Sequence, residues 1–280
     1  YWRLEENRGT TTATECRCPF SFEEALPAPL RLQRMVASMR FLTFALLVIP
    51  GWAGWFSRSN PKNPISVATE DISELLERNE KWANEIDEKD PDFFHELAYG
   101  QHPKYLYIGC ADSRIPSNEI LGLGPGEVFV HRNVANVVAN GDTNLLAVLQ
   151  YAVEVLQVEH ILLVGHYGCG GVQAADTAQD YGKLEGWLKG IRDVKRLHRA
   201  ELRGLADPDE HLRRLVELNV EEQCINLLAN PIVQKARREK GGFPTVQGLV
   251  FDMETGRLTW LSPEKIQAAY AEVEDCYQIY

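Results

Sequence analysis

The chain is 280 residues long, 45% hydrophobic and 25% charged, a composition of ordinary globular proteins that excludes collagens, coiled coils, disordered tails and membrane bundles. Its 29 Lys and Arg stand against 40 Asp and Glu, and a net charge of -11 argues against nucleic-acid and anionic-membrane partners, which need clustered positive charge. Six cysteines are too few for a disulfide scaffold, so a soluble, acidic, intracellular protein of one good-sized domain or two small ones is expected.

The first seventy residues differ from the rest. Residues 1–24 mix Arg with Glu and hold no lasting period; residues 25–69 contain no Asp or Glu but carry Arg31, Arg34, Arg40, Arg58 and Lys62. The apolar run Phe41–Ile49 is shorter than the ~20 residues that span a bilayer. A mitochondrial transit peptide, a secretory signal core and a disordered extension all suit this stretch. Residues 1–65 are therefore read as an N-terminal extension, targeting or disordered, and residues 66–280 as a single domain in the cytoplasm or the mitochondrial matrix.

From there the elements follow in order. A helix is predicted from Asp71 to Lys89, where Ile72, Leu75, Leu76, Trp82 and Ile86 return at helical spacing, and Pro91 ends it. Tyr105–Ile108, closed by Gly109, and Val128–Val130 read as short buried strands. A helix is predicted over Asn144–Leu156, and the most apolar strand is Ile161–Val164, closed by Gly165. Two amphipathic helices follow, Glu185–Leu202 and Asp209–Leu228, the second started by Pro208. Strands Val246–Phe251 and Leu258–Leu261 flank a turn through Glu254-Thr255-Gly256, and a last helix runs from Pro263 to Glu274. This alternation predicts an α/β fold: a mainly parallel central β-sheet flanked by helices.

Ligands in open parallel sheets collect at the carboxyl ends of strands, and two of these ends are chemically loaded. One strand runs into Cys110-Ala111-Asp112-Ser113-Arg114, the other into His166-Tyr167-Gly168-Cys169-Gly170-Gly171. A lone Cys at a strand end is ordinarily a small buried hydrophobe. Two thiolates and an imidazole brought together by adjacent strands suit zinc, and three protein ligands leave the fourth position that a working site needs. Gly168, Gly170 and Gly171 would let the backbone pass close to the ion. Asp112 and Arg114 alternate along one segment; on an open surface they would be a weak ion pair. Beside a zinc, a carboxylate restrained by Arg114 can orient the activated water, and one released by Arg114 can itself ligate. Both states stay open at this point.

Cys-x-Asp-x-Arg followed by His-x-x-Cys resembles the beta-class carbonic anhydrases, and the likeness runs roughly from Asp71 to Leu261. Pro125-Gly126-Glu127, the stretch Phe129 to Asn136, and Gln150-Tyr151-Ala152-Val153 add to it. The resemblance implies one Zn2+ per chain held by Cys110, His166 and Cys169, with Asp112 as gate or fourth ligand and Arg114 as its partner. It implies Gln101 as a substrate-orienting amide acting across a dimer interface, an apolar lining of Phe129, Val134 and Tyr151 for carbon dioxide, and Gly170 as a backbone donor. The implied reaction is reversible hydration of carbon dioxide to bicarbonate and a proton, in a homodimer or higher even-numbered oligomer.

One departure stands out. Some bacterial members hold an inhibitory bicarbonate with Trp, Arg and Tyr; the matching positions here are Tyr107, Arg132 and Phe251, which puts that site in doubt. Two other functions fit the same residues: hydrolysis of a carbon dioxide analogue such as carbon disulfide, and a non-catalytic zinc-stabilised binding module. Cys16 and Cys18 are close enough to share a metal, Cys224 reads as core and Cys276 as an inert tail thiol. Gly122-Leu123-Gly124-Pro125-Gly126 lacks the spacing of a dinucleotide fingerprint.

Overall fold

The computed structural model describes residues 72–272 and 274–279. The expectations for residues 1–65, including Cys16, Cys18 and the Phe41–Ile49 run, lie outside the described residues. In chain order the elements are α1 (Ile72–Asp87), α2 (Phe93–Ala98), β1 (Tyr105–Cys110), α3 (Ser117–Leu121), β2 (Val128–Asn133), α4 (Thr143–Gln150) and β3 (His160–His166). They continue with α5 (Gly170–Asp176), α6 (Glu185–Leu197), α7 (Arg199–Arg203), α8 (Pro208–Leu228), α9 (Pro231–Glu239), β4 (Thr245–Asp252), β5 (Arg257–Trp260), α10 (Pro263–Ala271) and α11 (Glu274–Tyr277).

Five strands form one sheet in the order β2-β1-β3-β4-β5; the first four are parallel, and β5 returns antiparallel to β4. The chain leaves β1 for β2 on one side, then crosses to β3 on the other. The carboxyl ends of β1 and β3 therefore flank a topological switch point, where open α/β sheets collect ligands. Side-chain alternation splits the interior. Leu106, Ile108 and Cys110 of β1, with Ile161 and Leu163 of β3, join the large core beneath α4, α5, α6 and α8. Tyr107, Leu162 and Val164 face the opposite way into a small cluster closed by Ile120, Leu121 and Leu258. Burial of Cys224 inside the large core matches its reading as a packed thiol, and Cys276 is exposed.

Three predicted helices are shaped differently from their periodicity. The Asn144–Leu156 helix is α-helical to Gln150 and then widens into a π turn over Tyr151–Val155, with the Leu156 amide donating to the Tyr151 carbonyl at 2.9 Å. The Glu185–Leu202 helix breaks at His198 (ψ 22°), whose ring meets Glu222 of α8 at 2.7 Å, so that α7 starts afresh. The last helix is divided into α10 and α11. Asp207 caps α8 by accepting the Asp209 amide at 3.3 Å, with Pro208 in the first turn as the sequence signal requires. Among the described residues no helix is long and apolar enough to cross a membrane.

Candidate metal centre

The switch point brings the three donors together. Cys110 ends β1, His166 ends β3, and Cys169 caps the start of α5. Their ligand atoms all lie within 4.8 Å of one another, and the two sulfurs are 3.9 Å apart. All three residues are buried, at 6%, 0% and 1% exposure. The His166 ring has a defined polarity: Nδ1–H donates to the Tyr167 carbonyl at 3.0 Å, which leaves Nε2 as the lone-pair nitrogen. That Nε2 is buried without a hydrogen-bond partner and faces the two sulfurs. A buried acceptor left unpaired is costly, and a cation among these three atoms satisfies it.

The thiols are poised for the same occupant. The Cys169 S–H directed at Cys110 holds the Cys110 thiol far below its ordinary value, helped by the Ala135 amide, which donates to Sγ at 3.4 Å. Cys169 moves the opposite way because Cys110 and burial both oppose its ionisation. A divalent cation takes the place of the shared proton and favours both thiolates. Two sulfurs and one imidazole nitrogen are a soft donor set that fits zinc.

Asp112 stands beside this group. Its Oδ2 lies 3.8 Å from His166 Nε2, and its carboxylate is held two-pronged by Arg114, from Nε to Oδ1 at 2.9 Å and from Nη2 to Oδ2 at 2.6 Å. The Arg114 amide adds a third bond to Oδ1 at 3.0 Å. These Arg114 contacts hold the Asp112 carboxyl down at about 2, so it is ionised across the neutral range.

The residues expected to face the substrate are placed less completely. Phe129 and Tyr151 approach with ring centroids 5.7 Å apart, and Tyr151 stands where α4 gives way to the π turn. Val134 packs over the second motif: its Cγ1 is 2.9 Å from where a Cβ on Gly171 would stand, and Trp187 Nε1 donates to its carbonyl at 2.8 Å. Val134 and Tyr151 are 40% and 44% exposed. Gly168 adopts the left-handed backbone (φ 68°), whereas a Cβ on Gly170 would meet nothing within 4 Å. Gln101 is exposed in the loop before β1 and has no hydrogen-bond partner among the described residues.

Some supports carry no signal in the sequence as read. Arg132 of β2 reaches over β1, donating from Nε to the Cys110 carbonyl at 2.8 Å and from Nη2 to the Asp112 carbonyl. The Ala135 amide on Cys110 is a backbone group and leaves no residue signature. Tyr107 and Phe251 are buried strand aromatics, the bland alternative to a second anion site.

A buried soft-donor triad at the switch point of a mainly parallel sheet, with an Arg-restrained carboxylate at its rim, has the makings of a zinc centre. Residues 105–258 match the carbonic anhydrase family. A carbonic anhydrase of Emericella nidulans is 48% identical over 205 residues, covering 73% of this chain and 89% of that protein. A beta-carbonic anhydrase structure from Sordaria macrospora, described as tetrameric, superposes with a TM-score of 0.65 at 41% identity, covering 68% of this chain and 96% of that one. One from Aspergillus fumigatus gives 0.66 at 41% identity, covering 71% and 96%. The chain belongs to the beta-carbonic anhydrase family, whose cofactor is zinc and whose reaction is the reversible hydration of carbon dioxide to bicarbonate and a proton.

Proposed function

We propose that Cys110, His166 and Cys169 hold the catalytic zinc, and that Asp112, Arg114, Gln101, Phe129, Val134, Tyr151 and Gly170 handle the substrate around it. The observation that carries this reading is the convergence of three buried donors on a partnerless His166 Nε2. Zinc, when bound, acts as a Lewis acid that lowers the pKa of water toward neutrality. His166 contributes a neutral nitrogen whose tautomer is set by the Tyr167 carbonyl. Asp112, ionised and gripped by Arg114, would accept a hydrogen bond at the rim and so aim the attacking lone pair. Phe129, Val134 and Tyr151 offer an apolar wall to a nonpolar gas. The Gly170 amide and Gln101 supply donors for the charge that gathers on the substrate oxygens. The Asp112–Arg114 pair favours an open resting site; a released Asp112 would be the fourth ligand.

An oligomer supports the part assigned to Gln101. Ile72, Leu75, Leu76 and Trp82 of α1 are exposed, and neither α1 nor α2 has a buried residue. A second copy of the chain covering this arm would also place a partner beside the exposed Gln101, so a homodimer is the smallest active unit. Residues 66–280 would be the catalytic domain, and the acid-poor residues 25–69 would direct it to the mitochondrial matrix or leave it in the cytoplasm. The test is a stopped-flow pH-indicator assay with metal analysis of the same sample. Rapid acidification on addition of carbon dioxide with one zinc per chain is expected; a zinc-loaded chain that produces no acid would mark a structural module, and sulfide release from carbon disulfide would mark the analogue hydrolase.

A further inference from the structure

We propose that Asn219 and Gln223, two buried amides on α8, are positioning residues for the metal centre, holding the left-handed turn that keeps the Ala135 amide on the Cys110 sulfur. The inference rests on the reading of Cys110 as a zinc ligand. Ala135 (φ 63°, ψ 30°) and Asn136 (φ 48°) are consecutive non-glycine residues in the left-handed region. Side chains disfavour that conformation, and it persists only where surrounding contacts over-determine it.

The contacts come from one face of α8, at positions i, i+4 and i+7. Asn219 Nδ2 donates to the Ala135 carbonyl at 3.1 Å. Gln223 Oε1 accepts the Val138 amide at 2.7 Å, and its Nε2 donates to Asn219 Oδ1 at 3.3 Å. Asn226 Nδ2 closes the row, donating to Gln223 Oε1 at 3.1 Å and to the Val138 carbonyl at 3.2 Å. Asn219 and Gln223 are 1% and 2% exposed, interleaved with the buried Leu218, Val220 and Cys224. Amides are costly in such a core unless every group is paired, and here they are paired with the turn.

The turn, in turn, faces the centre with two groups. Its Ala135 N–H reaches Cys110 Sγ at 3.4 Å, and its Val134 side chain packs against Gly171. An N–H held on a sulfur fixes where that sulfur sits, so displacing the turn loosens the position of Cys110 among the three donors. The competing role is purely structural, a loop tied to a helix, and a measurement on the metal separates the two.

The experiment uses the zinc-loaded full chain and follows zinc transfer to an excess of chromophoric chelator at 25 °C, alongside the unfolding midpoint. Asn219→Leu and Gln223→Met remove the amides at similar volume, Asn226→Ala is gentler because it removes only the two end bonds of the row, and Gln234→Ala, whose amide bonds the Ala229 and Tyr277 carbonyls away from the turn, is the control. Transfer is expected to accelerate about tenfold in the first two, equivalent to ~1.4 kcal/mol, and about threefold in Asn226→Ala, with Gln234→Ala close to wild type. If Asn219→Leu and Gln223→Met do not fold, Asn226→Ala decides. Lower midpoints with wild-type transfer rates in the folded range would overturn the proposal. A wild type that binds no zinc, or a Cys110→Ala variant that retains it, would instead defeat the reading of Cys110 itself.

Discussion

The proposed metal side of the centre is built from the ends of β1 and β3 and the start of α5, the proposed substrate side from β2, the turn after it and the π turn, and a single chain completes the two to different degrees. Cys110, His166 and Cys169 are buried, each with a backbone or side-chain neighbour fixing its donor atom. Val134 and Tyr151 stay substantially exposed, Gln101 is unpartnered among the described residues, and the α1–α2 arm shows solvent an apolar stripe in which Trp82 stands edge-on to Phe94 at 5.6 Å. A metal needs atoms held to tenths of an ångström, which rigid strand ends supply. A small nonpolar gas needs a wall, and a wall can be shared with a second copy. The contrast predicts that damage to the first side removes zinc, whereas damage to the second leaves zinc in place and takes rate.

The sharpest break should come from the ligands. Cys110→Ala, His166→Ala or Cys169→Ala should each abolish bound zinc and lower hydration by at least ~10³-fold, read by metal analysis and stopped-flow on one sample. Full activity in any one of them would remove that residue from the centre. Next, Asp112→Ala should keep zinc but lose activity by ~10²-fold or more, the range of a lost proton acceptor. Loss of stoichiometric zinc there would move Asp112 from the rim into the ligand set. A charge placed in the arm, as in Leu76→Asp, should shift the chain toward monomer in sedimentation and lower kcat/KM roughly tenfold to hundredfold with zinc retained. A fully active monomer would show that Gln101 needs no partner.

The same contrast explains what could be read beforehand. The metal side was legible because its chemistry is carried by side chains, Cys110, Asp112, Arg114, His166 and Cys169, at the ends of apolar runs whose burial is equally plain. Strand β3 is legible because a parallel strand buried on both faces is near-continuous in Val, Ile and Leu, and β1 and β4 because short apolar and aromatic runs are bounded by polar residues or glycine. The short helices α2, α3 and α5 were not, because five to seven residues do not complete two turns of a periodic pattern. α9 is nine residues long and was missed although Asn230 before Pro231 is a start signal. The break at His198 depends on Glu222, 24 residues away, and the π turn at Tyr151 is a backbone event with no composition of its own. Ala135 acts through its backbone amide, where residue identity says little, and Arg132 acts through a guanidinium whose acceptors are main-chain carbonyls that leave no complementary residue to pair it with.

The finest test of the rim concerns Arg114. Its three bonds, two from the guanidinium and one from the amide, hold the Asp112 carboxyl at about 2 against an ordinary 3.8. A carboxyl whose folded value is depressed contributes stability that is present above its unfolded value and disappears as pH falls through the folded one. The window for this pair therefore runs from about 3.8 down to about 2. Arg114→Gln removes the guanidinium and leaves the backbone amide, so the Asp112 carboxyl, followed by ¹³C NMR, should titrate at higher pH, part of the way back to its ordinary value. At neutral pH the group remains ionised in both proteins, which means any change in rate reports its freedom rather than its charge. Asp112 lies 3.8 Å from His166 Nε2 even while paired and, once freed, can swing toward the metal ligands, so the variant should bind zinc at least as well while hydrating carbon dioxide more slowly. An unmoved Asp112 titration would mean that the backbone amide, and not the guanidinium, restrains the gate.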